Sequence, residues 1–125
     1  MHNTSQASGK LDGQVAIITG ASSGIGAGIA IAYARAGARV VINYSSSEER
    51  AMKVLREVSD SNGEGFIFRA DVSKEADVLA MFSETIKRFG TVDILVNNAG
   101  LQKDSAFHEM SLEEWNRVLS INLTG

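Results

Sequence analysis

Thr19-Gly20-Ala21-Ser22-Ser23-Gly24-Ile25-Gly26 is a glycine-rich turn set between an apolar run, Val15 to Ile18, and an alanine-rich stretch of helical period that begins near Ile25. A helix start leaves backbone N–H groups unpaired and carries partial positive charge, and glycines let a ligand reach the backbone without meeting side chains. The stretch reads as a cradle for a pyrophosphate, bounded by Gly20, Ser22, Ser23, Gly24, Ile25 and Gly26. Its spacing, G-x-x-x-G-x-G, departs from the G-x-G-x-x-G dinucleotide fingerprint, so the flanking pattern has to decide between a ligand site and a plain strand-to-helix turn.

From Leu11 onward, short β-type runs alternate with longer segments of helical period, the pattern of a parallel sheet with helices on both faces. Strands are expected at Val15 to Thr19, Arg39 to Asn43, Gly65 to Arg69 and Val92 to Asn97, each apolar enough for burial on both sides. The first helix would turn Ile25, Ile29, Ala32, Tyr33 and Ala36 inward and stop at Gly37 in a left-handed conformation. The second opens on Ser46 and Glu49 in capping-box spacing, carries Ala51, Val54, Leu55 and Val58 inward, and ends near Gly63.

Ser73 is the expected cap of a third helix whose stripe is Val78, Met81, Phe82, Thr85, Ile86 and Phe89, with Gly90 as its stop. A fourth starts at Ser111, with Glu114 in capping-box spacing and Leu112, Trp115, Val118 and Leu119 inward up to Asn122. Right-handed crossovers would lay the strands in the order 3-2-1-4, the N-terminal half of a doubly wound, Rossmann-type α/β sheet. The order reverses between the first and fourth strands, and a dinucleotide should lie across that crevice.

With 125 residues, 44% of them hydrophobic, the chain can bury one modest core. Residues 11–125 are expected to form the cofactor-binding part of a single domain behind a polar, disordered tail at 1–10. A net charge of −3 gives no basic footprint for nucleic acid or an anionic membrane, so phosphate binding must be local. The lack of cysteine removes disulfides, thiolate catalysis and the commonest zinc sites, and fits a reducing, cytoplasmic setting. No apolar run approaches membrane-spanning length, and Met1 to Lys10 lacks the apolar centre of a secretion signal. His2 and His108 are the only histidines and stand far apart, so no metal site is expected.

A carboxylate about 20 residues beyond the glycines would grip a ribose 2′-hydroxyl and repel a 2′-phosphate. Asn43-Tyr44-Ser45-Ser46-Ser47 offers only neutral donors there, with Arg50 nearby, which favours NADP or tolerance of both coenzymes. The same serines also suit a turn and a helix cap, and both uses are compatible. Asp71, followed by Val72, stands past the third strand as either an ordinary turn aspartate or an acceptor for the adenine amino group. Asn97-Asn98-Ala99-Gly100 closes the fourth strand, where Asn98, Ala99 and Gly100 would flank the coenzyme and the amides can also tie strands together. Asn122 falls on the inward stripe of the fourth helix, where an amide needs partners, or on a frayed terminus.

Together these segments resemble the short-chain dehydrogenase/reductase family, whose Thr-Gly-x-x-x-Gly-x-Gly, Asp-Val, Asn-Asn-Ala-Gly and helix-borne Asn motifs match Thr19 to Gly26, Asp71-Val72, Asn97 to Gly100 and Asn122. The runs His108 to Ser111, Trp115-Asn116 and Asn122 to Gly125 look especially like bacterial glucose 1-dehydrogenases. The resemblance implies reversible hydride transfer between NADP (or NAD) and a small-molecule alcohol or carbonyl, glucose among them. It also implies a homotetramer built partly through the helix from Ser111, and gives Asn122 a place in an Asn-Ser-Tyr-Lys proton-handling set.

No Y-x-x-x-K spacing occurs in the sequence, so this chain alone is expected not to turn over. It reads as an N-terminal piece, interrupted at Thr124-Gly125, whose fourth strand would leave Ile94, Leu95 and Val96 on a sticky edge. The rival readings are a 3-oxoacyl thioester reductase and a non-catalytic dinucleotide-binding module.

Overall fold

The computed structural model describes residues 9–99. The expected fourth helix, with Asn122, lies outside the described residues, as does Gly100. Within them, seven elements alternate: β1 (Val15–Ile18), α1 (Gly24–Arg35), β2 (Arg39–Tyr44), α2 (Glu48–Asp60), β3 (Glu64–Arg69), α3 (Glu75–Phe89) and β4 (Ile94–Val96). The strands form one sheet in the order β3-β2-β1-β4, every pair parallel. The doubly wound topology expected from the alternation of short apolar runs and helical segments is therefore present, with its reversal between β1 and β4.

Side-chain alternation along the strands divides the interior into two cores. Ala16, Ile18, Val40, Ile42 and Tyr44 face α1 and α2, meeting Ala30, Ala34, Ala51, Val54 and Val58. Ile17, Val41 and Phe66 face the other way, meeting Val78, Met81 and Phe82 of α3. The result is a three-layer α/β/α sandwich, and β1 is buried along its whole length because both faces are covered. Thr85, buried in α3, avoids an orphaned hydroxyl by donating to the Met81 carbonyl at 2.7 Å.

Helix ends follow local chemistry. Gly37 (φ 102°) and Gly90 (φ 86°) both take the left-handed conformation after their helices, as expected. Two helix caps need correction. The cap of α2 is Ser47, whose hydroxyl accepts the Arg50 amide at 3.2 Å, rather than Ser46. Lys74, not Ser73, occupies the N-cap of α3, because the Ser73 side chain is engaged with Asp71.

The inward face of α1 is Gly26, Ala30 and Ala34, while Ile25 is 74% exposed and Ala32 points to solvent. The rotation has a steric cause. The turn from β1 leads α1 directly onto the sheet, and only glycine and alanine fit a helix that close, so the larger residues move to its flanks. The boundaries at β4 are also tighter than expected, since Val92 and Asn97 flank the strand. The chain enters the sheet through a turn in which the Asp12 amide donates to the Gly9 carbonyl.

Candidate functional site

The carboxyl ends of all four strands open into one cleft of about 360 Å³. Gly20, Ser22 and Ser23 of the glycine turn form one wall, and Asn43, Tyr44 and Ser45 at the end of β2 form the floor. Ala70, Asp71 and Val72 beyond β3 make the opposite wall, and Asn98 and Ala99 close the side next to β4. The fold thus brings together the segments singled out in the sequence, at the position where an open α/β sheet receives ligands.

What distinguishes α1 from its neighbours is its bare N-terminus. The N-cap Ser23 makes no side-chain cap bond and the first turn carries no acidic residue. By contrast, α2 has a capping serine with Glu48 and Glu49 behind it, and α3 has Glu75 and Asp77 in its first turn. The amides of Gly24, Ile25 and Gly26 begin the helix without intrahelical acceptors, and the uncompensated dipole adds partial positive charge. That combination suits an anion.

The glycines of the turn serve different needs. Gly20 and Gly24 both have φ 62°, a conformation that a side chain would strain. Gly26 is instead a contact residue: a Cβ there would run into the Gly20 carbonyl oxygen and stand 2.7 Å from Asn98 Nδ2. Gly26 therefore packs beneath the turn, while Gly24 and Ile25 stand in the exposed first turn of α1.

Two polar side chains that the sequence had placed at the ligand are structural members of the cleft. Asn43, 2% exposed, turns its amide into the fold: Oδ1 accepts the Gly20 amide at 3.1 Å, and Nδ2 donates to the carbonyls of Ala70 (3.2 Å), Phe68 (3.3 Å) and Tyr44 (3.4 Å). It belongs to the same strand face as Val41, so its side-chain amide is engaged within the fold while the residue lines the cleft. Asn98 donates through Nδ2 to the Gly20 carbonyl at 3.1 Å, which ties the end of β4 to the glycine turn. Tyr44 packs into the core at 8% exposure, leaving Ser45 as the exposed member of that loop in the cleft.

Ala70 and Thr19 take part in the site beyond the residues expected to do so. Ala70 lines the cleft, and only its small size at the end of β3 signals the role. Thr19 is fully buried, and its hydroxyl accepts the Ala99 amide at 2.9 Å while facing the Val96 carbonyl and Asn97 Oδ1. A hydroxyl in an apolar strand end that opens a glycine turn was the available sign of such a hub.

Asp71 is exposed, and its Oδ1 accepts both the Ser73 hydroxyl (2.6 Å) and the Ser73 amide (2.9 Å). These bonds, the hydroxyl first, hold its pKa below the ordinary aspartate range, with Lys74 adding a smaller pull in the same direction. It is a turn aspartate and a cleft residue at once. Among the described residues that line the cleft it is also the one with a charged side chain, and Ser45 beside it is neutral.

Comparisons with known proteins agree with this geometry. A hydroxysteroid dehydrogenase from Escherichia coli is 41% identical, with a TM-score of 0.68 over 74% of this chain and 39% of its own. A 7α-hydroxysteroid dehydrogenase, solved with NADH and 7-oxo glycochenodeoxycholic acid, is 42% identical, with a TM-score of 0.68 over 78% of this chain and 37% of its own. A landomycin C-6 ketoreductase, solved with NADP and rabelomycin, is 34% identical, with a TM-score of 0.67 over 87% of this chain and 47% of its own. The chain thus matches less than half the length of each. The short chain dehydrogenase family profile matches residues 14–125. With four parallel strands in the order 3-2-1-4, a bare helix N-terminus at the switch point and this match along most of its length, the chain belongs to the short chain dehydrogenase family.

Proposed function

We propose that this chain binds the adenosine diphosphate part of a nicotinamide coenzyme, as the cofactor-holding portion of an oxidoreductase acting on a small-molecule alcohol or carbonyl. The carrying observation is the uncapped, acid-free first turn of α1 opening on a cleft at the sheet's switch point. The amides of Gly24 and Ile25, flanked by Ser22 and Ser23, would hold the diphosphate. Asp71 and Val72 would meet the adenine, and Asn98 and Ala99 would lie along the path towards the nicotinamide. When bound, the coenzyme supplies or takes up hydride. The residues of this chain bind and orient it.

NADP is the preferred form in this reading. Ser45 gives the ribose end of the cleft a neutral, exposed hydroxyl where a carboxylate would repel a 2′-phosphate. The test is calorimetric titration of the chain with NADPH and NADH. Tighter binding of NADPH is expected, and a strong preference for NADH would overturn this part of the proposal.

Glucose, suggested by His108 to Ser111 and Asn122 to Gly125, is the first substrate to assay, with a 3-oxoacyl thioester as the alternative. Asn122 keeps its proposed place in proton handling, Gly100 its place beside the coenzyme, and the helix from Ser111 its place in a homotetramer. Among the described residues no helix is long and apolar enough to cross a membrane, and a cytoplasmic setting is part of the proposal. The two tyrosines of the chain, Tyr33 and Tyr44, pack against or within the α1–α2 core, which supports the expectation that the chain does not turn over by itself.

A further inference from the structure

Among the described residues, both walls of the cleft are tied by hydrogen bonds to the end of β2. The glycine turn rests on it through two amides: Gly20 donates to Asn43 Oδ1 at 3.1 Å and Ala21 to the Asn43 carbonyl at 2.8 Å. The strand end that leads to Asp71 rests on it too, since Asn43 Nδ2 reaches the Ala70 and Phe68 carbonyls at 3.2 and 3.3 Å. One buried amide therefore uses its acceptor towards one wall and its donors towards the other. Because Gly20 and Ala21 are already engaged, the amides left for a ligand begin at Ser22.

We propose that Asn43 is the positioning residue that sets the spacing between the diphosphate wall and the adenine wall, so that a ligand spanning both is bound preferentially to one that touches a single wall. This rests on the coenzyme reading above and gives Asn43 a role without ligand contact. Aspartate at this position would keep the acceptor for Gly20 but turn a second oxygen towards the Phe68 and Ala70 carbonyls. A buried carboxylate facing carbonyls holds its proton more tightly than usual, and the protonated form regains a donor. Among the described residues that line the cleft with Asn43, Asp71 is the charged one, and its carboxylate would add to the repulsion at high pH.

The experiment measures binding of NADPH and of adenosine 2′-monophosphate to the parent chain, Asn43→Asp and Asn43→Ala, with circular dichroism melts alongside. Asn43→Asp should bind NADPH about tenfold more weakly than the parent at about pH 8 and recover much of that loss towards about pH 5.5. Asn43→Ala should lose about tenfold for NADPH at both pH values but less than about threefold for the single-wall nucleotide. Equal losses for both nucleotides, or parent-like NADPH binding by the variants, would overturn the positioning role. Should Asn43→Asp not fold at the higher pH, the two-ligand comparison on Asn43→Ala decides alone. Failure of the parent chain to bind NADPH would instead overturn the coenzyme reading itself.

Discussion

Gly26 and Asn98 sit so close that a Cβ on the glycine would stand 2.7 Å from the asparagine Nδ2, the atom that donates to the Gly20 carbonyl. Helix α1, the glycine turn and the end of β4 thus share one contact point beneath the cleft. Gly26→Ala should destabilise the chain by about 1–3 kcal/mol through overpacking and weaken nucleotide binding, since both the turn and the Asn98 tie must move. Gly28→Ala, two residues along in open space on the exposed side of α1, should instead stabilise by about 0.5–1 kcal/mol. Urea unfolding midpoints of the two variants should move in opposite directions, and a shift in the same direction would refute the packing assignment.

Thr19 offers a second check on how the strand ends are joined. Replacing it by valine keeps the shape but leaves the Ala99 amide without its acceptor, which should cost about 1–3 kcal/mol. Thr19→Ser keeps the hydroxyl and should be the milder change. A Thr19→Val variant as stable as the parent in thermal melts would show that the hydroxyl is not the hub described.

The Ser73 bonds to Asp71 make a prediction about pH. Because the folded pKa lies below the ordinary value, the bonded carboxylate favours the folded state above the unfolded pKa, and this contribution is lost as pH falls through the folded pKa. Ser73→Ala should bring the Asp71 pKa back up towards the usual aspartate range, about 3.9. Carbon-detected titration of the Asp71 carboxyl reads this directly, and an unchanged midpoint would mean that the Ser73 hydroxyl is not the cause.

The cap of α2 distinguishes two neighbouring serines. Ser47→Ala should cost about 1 kcal/mol, whereas Ser46→Ala, exposed and without a cap bond, should stay within about 0.5 kcal/mol. Chemical denaturation of the pair checks the assignment, and equal losses would contradict it.

The sheet order and three of its helices were readable because short apolar runs alternating with segments of helical period, and punctuated by Gly37 and Gly90, admit few alternatives. The face of α1 was not, because hydrophobicity ranks isoleucine above glycine, while the turn from β1 demands the smallest residues against the sheet. The inward bonds of Asn43 were hidden for a related reason. A polar residue at the mouth of a cleft suggests a ligand contact, but its parity with Val41 turns it inward, and two of the three carbonyls it meets, Phe68 and Ala70, are brought to it only by the folded sheet. The Ser47 and Lys74 caps differ by one position from expectation, the first because Ser45-Ser46-Ser47 offers several equivalent candidates and the second because the Ser73 hydroxyl is taken by Asp71.

The most direct test of the coenzyme reading follows the backbone amide resonances of the isotopically labelled chain during titration with NADPH. Saturable shifts concentrated at Ser22 to Gly26 and at Asp71 and Val72, with Lys53 on the outer face of α2 unmoved, are the predicted result. Binding that leaves the first turn of α1 unchanged, or no binding by the folded chain, would contradict it.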